Sequence, residues 1–169
     1  ALIIRDKNNF SPRDIEKKNK IPVINAGDGT NEHPTQALLD YCVIKSIFKN
    51  KKINIGICGD IKHSRVAHSN IKLLTKLGYQ IHIIAPSYFL KKSEIDKINN
   101  KIIYHKNLNS IYELDVLMML RVQKERIIKG AKNLMRSFKK DFCLQEKHLI
   151  NKPYLMHPGP INRNIEISD

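Results

Sequence analysis

The sequence predicts an α/β fold, a parallel sheet with helices on both faces. Two observations carry that expectation. Short β-branched runs alternate with helical patterns along the whole chain. The strand candidates are also apolar almost without interruption, as strands buried on both faces are. With 169 residues, 41% of them hydrophobic and 27% charged, the chain can bury one substantial core, or one domain plus part of another.

Seven runs read as strands: "LII" (2–4), "IPVINA" (21–26), "INIGIC" (53–58), "QIHIIA" (80–85), "KIIYH" (101–105), "DVLMML" (115–120) and "PYLMH" (153–157). Helices are expected between them at "SPRDIEKKNK", "HPTQALLDYCVIKSIF", "SRVAHSNIKLLTKLG", "KKSEIDKINN" and within 125–150. The third is the best defined. Ala67, Ile71, Leu74 and Gly78 recur at helical spacing, Ser64 suits the N-cap, and Gly78 suits the position after the last turn. The second opens on Pro34, where a missing N–H costs nothing, and runs through Leu38, Cys42 and Phe48 to "KNKK" (49–52). That Lys/Asn stretch is the expected domain junction.

Composition narrows the function classes. The net charge of +14 fits nucleic acid, an acidic membrane surface or small anionic substrates. Aromatic residues are sparse at 7% and the lysines are dispersed, so a stacking platform for nucleic acid is not expected. The densest basic stretch, "KERIIKGAKNLMRSFKK" (124–140), reads as a basic amphipathic helix whose charges form a solvated face. No apolar run approaches the roughly 20 residues of a membrane span. "ALIIRDKNNF" lacks the pattern of a secretory signal, and an intracellular, soluble protein is expected. Cys42, Cys58 and Cys143 are far apart without a CxxC, so reduced core thiols are expected rather than a disulfide or metal site.

In open α/β sheets, ligands bind beyond the carboxyl ends of the strands. The residues just past each strand candidate are Arg5, then "GDGTNEHPTQ", "GDIKHSR", "RVQKER" and "PGPINR". Arginine, histidine and glycine–proline turns thus converge on one edge, suited to an anion with several acceptor groups. His33 and Gln36 flank Pro34 at a helix start, where free N–H groups and the positive dipole end favour a phosphate. Arg65 opens the next helix, and Arg121 follows an apolar strand with Gln123 close behind, a placement suited to carboxylate recognition. His63, His68, His82, His105 and His148 read as structural or surface groups, with no metal-ligand spacing. "GICGDIKHSR" lacks GxGxxG, which argues against a dinucleotide.

Four ordered stretches, "PVINAGDGTNEHPTQALLDY", "GDIKHSRVAHSNIKLLTKLG", "LMMLRVQKER" and "MHPGPINRNIEISD", resemble the catalytic chain of aspartate carbamoyltransferase. The resemblance implies a Rossmann-like fold of the aspartate/ornithine carbamoyltransferase type with a truncated first domain. Residues 1–48 would be the C-terminal part of a carbamoyl phosphate-binding domain and 49–169 an aspartate-binding domain. The family's Ser-Thr-Arg-Thr-Arg phosphate motif and its closing helices are not in the sequence. The implied reaction joins carbamoyl phosphate to the α-amino group of L-aspartate in pyrimidine biosynthesis, without metal or cofactor. It implies Arg5 and His33 as donors to the carbonyl oxygen, Gln36 on the carbamoyl nitrogen, and backbone carbonyls of the "HPGP" turn, with Gly159 and Pro160, on the remaining N–H bonds. Arg65 would hold the α-carboxylate of aspartate. Arg121, steadied by Gln123, would hold the β-carboxylate, and Arg126 would pair across the domains. A cytoplasmic homotrimer is implied, with neither nucleic acid nor membrane as partner. The Gly159–Pro160 bond is expected to be cis.

Two alternatives stand beside this reading. An ornithine carbamoyltransferase-like enzyme shares the fold, but that family carries an "HCLP" turn and an "SMG" loop where this sequence has "HPGP" and "RVQKER". A non-catalytic basic binding module is the other.

Overall fold

A computed structural model describes residues 1–111, 113–126 and 131–169. All seven strands are present, divided between two parallel sheets. β1 (Leu2–Asp6) and β2 (Val23–Asp28) form a two-stranded sheet joined through α1 (Ser11–Asn19). α2 (Pro34–Phe48) leads to the larger sheet of β3 (Asn54–Cys58), β4 (Gln80–Ile84), β5 (Ile103–His105), β6 (Val116–Met119) and β7 (Tyr154–Met156). Its order is β5-β4-β3-β6-β7, with every pair parallel. The chain winds outward from β3 through β4 to β5, then returns to β6 on the other side of β3. The loops after β3 and β6 therefore part at a topological switch point, where a parallel sheet opens a crevice.

Alternate residues of the strands serve opposite faces. Ile55, Ile57, Ile81, Ile83, Val116 and Met118 pack with Ile44 of α2 and with Ala67, Ile71 and Leu74 of α3 (Arg65–Lys76). Cys58, Ile84, Leu117 and Met119 pack on the other face with Phe138 and Phe142 of α5 (Ala131–Phe142). The basic stretch 124–140 thus supplies a packed amphipathic helix as well as a charged face. Its residues 127–130 lie outside the described part. Ser64 caps α3 by accepting from the Ala67 N–H at 3.1 Å, and Gly78 follows with φ +84°, as the sequence predicts. α4 (Lys92–Asp96) is shorter than the expected 91–100. The Asn99 side chain accepts from the Lys101 N–H at 2.8 Å, and this local turn competes with helix.

α2 departs from expectation in its orientation. It buries Ala37, Asp40 and Ile44, while Leu38 (53% exposed), Leu39 (57%), Val43 and Ile47 face outward. Cys42 lies on that outer face and is exposed, so the core thiols are Cys58 and Cys143 alone among the three. The helix is apolar nearly all round, and periodicity cannot choose its inner face. Leu2, Ile3 and Ile24 of the small sheet are also exposed, an apolar surface larger than scattered single residues produce.

Asp28 organises the small sheet. Its side chain is buried, with Oδ1 accepting from Asn25 Nδ2 (2.9 Å) and the Glu32 N–H (3.1 Å). Oδ2 accepts from the Phe10 N–H (2.7 Å) and Asn31 Nδ2 (3.0 Å). Burial pushes this carboxyl up, but the four donors outweigh it and hold the group below the usual aspartate value. Asp28→Asn places an amide N–H₂ against two donors whichever way it turns. In the full-length protein it should lower stability by about 1–3 kcal/mol at pH 7, measured by urea unfolding. Because the folded carboxyl titrates below the unfolded one, this stabilisation is present above about pH 4 and is lost as pH falls through the folded value. Equal stability of the two proteins at pH 7 would contradict the role given to Asp28.

Candidate active site

The carboxyl ends of β1, β2, β3 and β6 and the turn after β7 surround one cleft of about 340 Å³. It is lined by Arg5, His33, Gln36, Arg65, Arg121, Gln123, Arg126, Gly159 and Pro160, among others. Every site residue predicted from the sequence therefore borders the same space.

Three arginines, Arg5, Arg65 and Arg126, meet there. Arg65 begins α3 and lies over β2, donating from Nη1 to the Asp6 carbonyl at 3.4 Å. Gly27 makes room for it: at φ +117°, a Cβ on residue 27 would come within 2.8 Å of Arg65 Cζ. Arg126 reaches from the loop after β6 to two carbonyls, donating from Nη1 to His63 (3.0 Å) and from Nη2 to Gly29 (3.3 Å). It thereby links the loops that follow β2 and β3. Burial, with Arg5 and Arg126 nearby, pushes Arg65 down from the ordinary arginine value. Among the described residues, Arg5, Arg65 and Arg126 have no carboxylate at ion-pairing distance. Carbonyl oxygens orient Arg65 and Arg126 without cancelling their charge.

His33 occupies the N-cap position of α2, but its side chain makes no capping bond. Its backbone N–H donates to Ser69 Oγ of α3 at 2.8 Å, and its Nδ1 lies 3.3 Å from the Thr35 hydroxyl. With that hydroxyl as donor, the ring carries its proton at Nε2. Burial, then Arg65 and Arg5, push His33 below the ordinary histidine value, which favours the neutral ring at pH 7. Gln36 sits one turn further on, its Nε2 donating to Asp40 Oδ1 at 2.9 Å.

The partner of Arg121 differs from expectation. Nη1 and Nη2 bind Glu125 at 2.6 and 3.1 Å, a two-pronged pair that raises the arginine above its ordinary value. Gln123 instead donates from Nε2 to the His63 carbonyl at 2.7 Å. Glu125, not Gln123, steadies Arg121, and Gln123 ties the loop after β6 to the loop after β3. Asp60 strengthens that tie: fully buried, it accepts from the Gln123 N–H (3.3 Å), the His63 N–H (3.2 Å) and the His63 ring (2.9 Å). Burial pushes its carboxyl up, against these bonds.

The Gly159–Pro160 bond is cis, as expected. The Gly159 N–H donates to His157 Nδ1 at 2.8 Å, and Asn162 Nδ2 donates to the Val122 carbonyl at 3.1 Å, which joins this turn to the loop after β6. Sequence reasoning missed Glu125, Asp40 and Asp60. The first two stand four residues after Arg121 and Gln36, the spacing of neighbours on a helical turn. Among the described residues, no group of three or more His, Cys, Asp or Glu side chains is placed to hold a metal ion.

Comparison with known proteins agrees with this architecture. Residues 1–46 match the carbamoyl-P binding domain of aspartate/ornithine carbamoyltransferases, and 51–169 match their Asp/Orn binding domain. The chain is 40% identical over 172 aligned residues to the aspartate carbamoyltransferase catalytic subunit of Campylobacter jejuni subsp. doylei, covering 100% of this chain and 57% of the relative. It is 44% identical over 151 residues to that of Ehrlichia canis, covering 87% and 48%. Among solved structures, aspartate transcarbamoylase from Trypanosoma cruzi in complex with N-(phosphonacetyl)-L-aspartic acid superposes with a TM-score of 0.82 at 28% identity, covering 99% of this chain and 56% of that one. The catalytic subunit of the M. jannaschii enzyme gives 0.79 at 29%, covering 99% and 56%. The chain thus spans a little over half the length of the relatives it matches from end to end. By sequence and by fold, it belongs to the aspartate/ornithine carbamoyltransferase family.

Proposed function

We propose that this chain carries most of the active cleft of an aspartate carbamoyltransferase, and that the full-length protein transfers the carbamoyl group of carbamoyl phosphate to L-aspartate. The observation that carries the reading is the meeting of Arg5, Arg65 and Arg126, with no carboxylate at ion-pairing distance among the described residues, beside a histidine that burial and the nearby arginines push below its ordinary value. Such a site is completed by a ligand with several negative charges. The T. cruzi enzyme, solved with carbamoyl phosphate and aspartate, is a protein of the same fold that takes such ligands.

The chemistry follows from the placement. The neutral α-amino group of aspartate attacks the carbonyl carbon, a C–N bond forms, and negative charge gathers on the carbonyl oxygen. The C–O bond to phosphate then breaks, phosphate leaves with the bonding electrons, and the amine loses a proton. Arg5 and the Nε2–H of His33 are the donors for the developing oxyanion, where fixed donors do most for the rate. Arg65 takes the α-carboxylate. Arg121 takes the β-carboxylate on the edge of its guanidinium that Glu125 leaves open. Gln36 and the carbonyls of the 157–160 turn take the carbamoyl N–H groups. Holding both reactants in register supplies much of the remaining acceleration.

Ornithine fits this cleft poorly, since it offers no second carboxylate to Arg121 and the ammonium group not used in the reaction would face the arginines. A homotrimer in the cytoplasm, serving pyrimidine biosynthesis, is part of the same proposal. The exposed apolar surface of α2, β1 and β2 supports further polypeptide covering this face.

The direct test is product formation by the full-length protein. Carbamoyl phosphate with L-aspartate should give N-carbamoyl-aspartate and phosphate, and L-ornithine should give at least 100-fold less product, about 3 kcal/mol of discrimination. Preference for ornithine, or no turnover with either amine by folded protein, would overturn the proposal.

His33→Ala should lower kcat by more than it raises the KM for carbamoyl phosphate, because the charge it meets develops in the transition state. A change confined to KM would make His33 a ground-state binder.

A further inference from the structure

The side chain that would recognise the carbamoyl nitrogen is a primary amide, and an amide can present either its oxygen or its nitrogen to a ligand. What decides between them lies behind the cleft. Asp40, only 6% exposed, stands one turn after Gln36 on the inner face of α2. Its Oδ1 accepts from Gln36 Nε2 at 2.9 Å and its Oδ2 from Asn70 Nδ2 of α3 at 2.7 Å. Asn70 is fully buried, and its Nδ2 also faces the Val66 carbonyl at 3.2 Å. A carbonyl oxygen only accepts, so the nitrogen of Asn70 is the atom that must point this way. Asp40 therefore meets a donor on one side, and as a carboxylate it demands a donor on the other. Gln36 satisfies it with Nε2, so the oxygen is the amide atom of this cleft-lining residue that Asp40 does not engage. Among the described residues, the buried Asn70 Oδ1 has no hydrogen-bond partner.

We infer that Asp40, oriented by Asn70, is a positioning residue that turns Gln36 oxygen-first into the cleft, so that the site selects a carbonyl group bearing N–H over one bearing a methyl group. The inference rests on the proposed function and adds the origin of its selectivity. Burial raises the Asp40 carboxyl above its ordinary value, while the bonds from Asn70 and Gln36 favour the ionised form that this role needs. Neutralising the side chain removes the constraint. An asparagine at 40 can donate to Gln36 Oε1, which allows the Gln36 nitrogen to turn towards the ligand.

The test uses the full-length protein and two stable probes that differ only in this group, phosphonoacetamide and its methyl-ketone isostere acetonylphosphonate, with affinities measured by calorimetry. The wild type should prefer the amide. Asp40→Asn should reduce that preference by roughly 10- to 100-fold, since sites built to pair a polar group reject analogues that lack it. The double variant Gln36→Glu/Asp40→Asn should recover the preference, because a carboxylate at 36 presents an oxygen in either orientation. Thermal melting establishes that each variant is folded. If Asp40→Asn does not fold, Asn70→Ser carries the same measurement, with a smaller loss of preference expected. An unchanged preference in the folded variant would overturn the inference. Failure of the wild type to bind either probe would instead overturn the functional reading on which it rests.

Discussion

A seam between two helices, with a carboxylate buried in it, ties the small sheet to the large one and sets the site between them. α2 follows β2, α3 follows β3, and they pack against each other with Asp40 on one side and Asn70 on the other. The His33 N–H on Ser69 Oγ closes the same seam at its upper end. Removing one member of such a pair leaves a buried polar group unsatisfied, which costs more than the bond itself contributes. The geometry of His33 and Gln36 relative to Arg65 is therefore inherited from core packing rather than from loop conformation.

The cleft above the seam depends on a second arrangement. Cations in a concave, partly buried space repel one another, and proteins ordinarily pair them. Here the guanidinium groups of Arg65 and Arg126 are oriented by the carbonyls of Asp6, Gly29 and His63. Neutral acceptors fix their direction, while Asp28 and Glu125 act on them only from beyond ion-pairing distance. Gly27 supplies the room that Arg65 occupies. Arg121 is treated differently, since Glu125 grips one edge of it and holds it in place. A dianionic phosphate next to the unpaired group and a dicarboxylate reaching Arg121 match this gradient of compensation.

Much of this was legible from the residues themselves. Continuous β-branched runs marked all seven strands because a parallel sheet buries both faces, and the positions after those strands held the residues that meet in the cleft. The capped helix 64–77 was equally plain, its Ser64 and Gly78 lying just outside a clear apolar period. α2 was harder for a physical reason. With Leu38, Leu39, Cys42, Val43, Ile44 and Ile47 spread around it, either side could face inward, and the structure buries the side bearing Asp40. That choice also hid the relay behind Gln36, since an aspartate on a helix reads first as a solvated group. Glu125 was obscured in the same way among the charges of "RVQKER". Pairings such as Gln123 with His63 and Arg126 with Gly29 join residues far apart in sequence, and only the topology brings them together.

The central claim is that these cations form one site for a phosphate and a dicarboxylate held side by side. Calorimetric titration of the full-length protein with N-(phosphonacetyl)-L-aspartate, which carries both in one molecule, tests it most directly. The account predicts saturable binding at one site per chain. Arg121→Lys should weaken it by roughly 30- to several-thousand-fold, about 2–5 kcal/mol for loss of a two-pronged charged contact whose partner stays buried, since lysine cannot reproduce the paired geometry. Inorganic phosphate should bind both proteins equally. Absence of binding to the folded wild type, or wild-type affinity in the lysine variant, would contradict it.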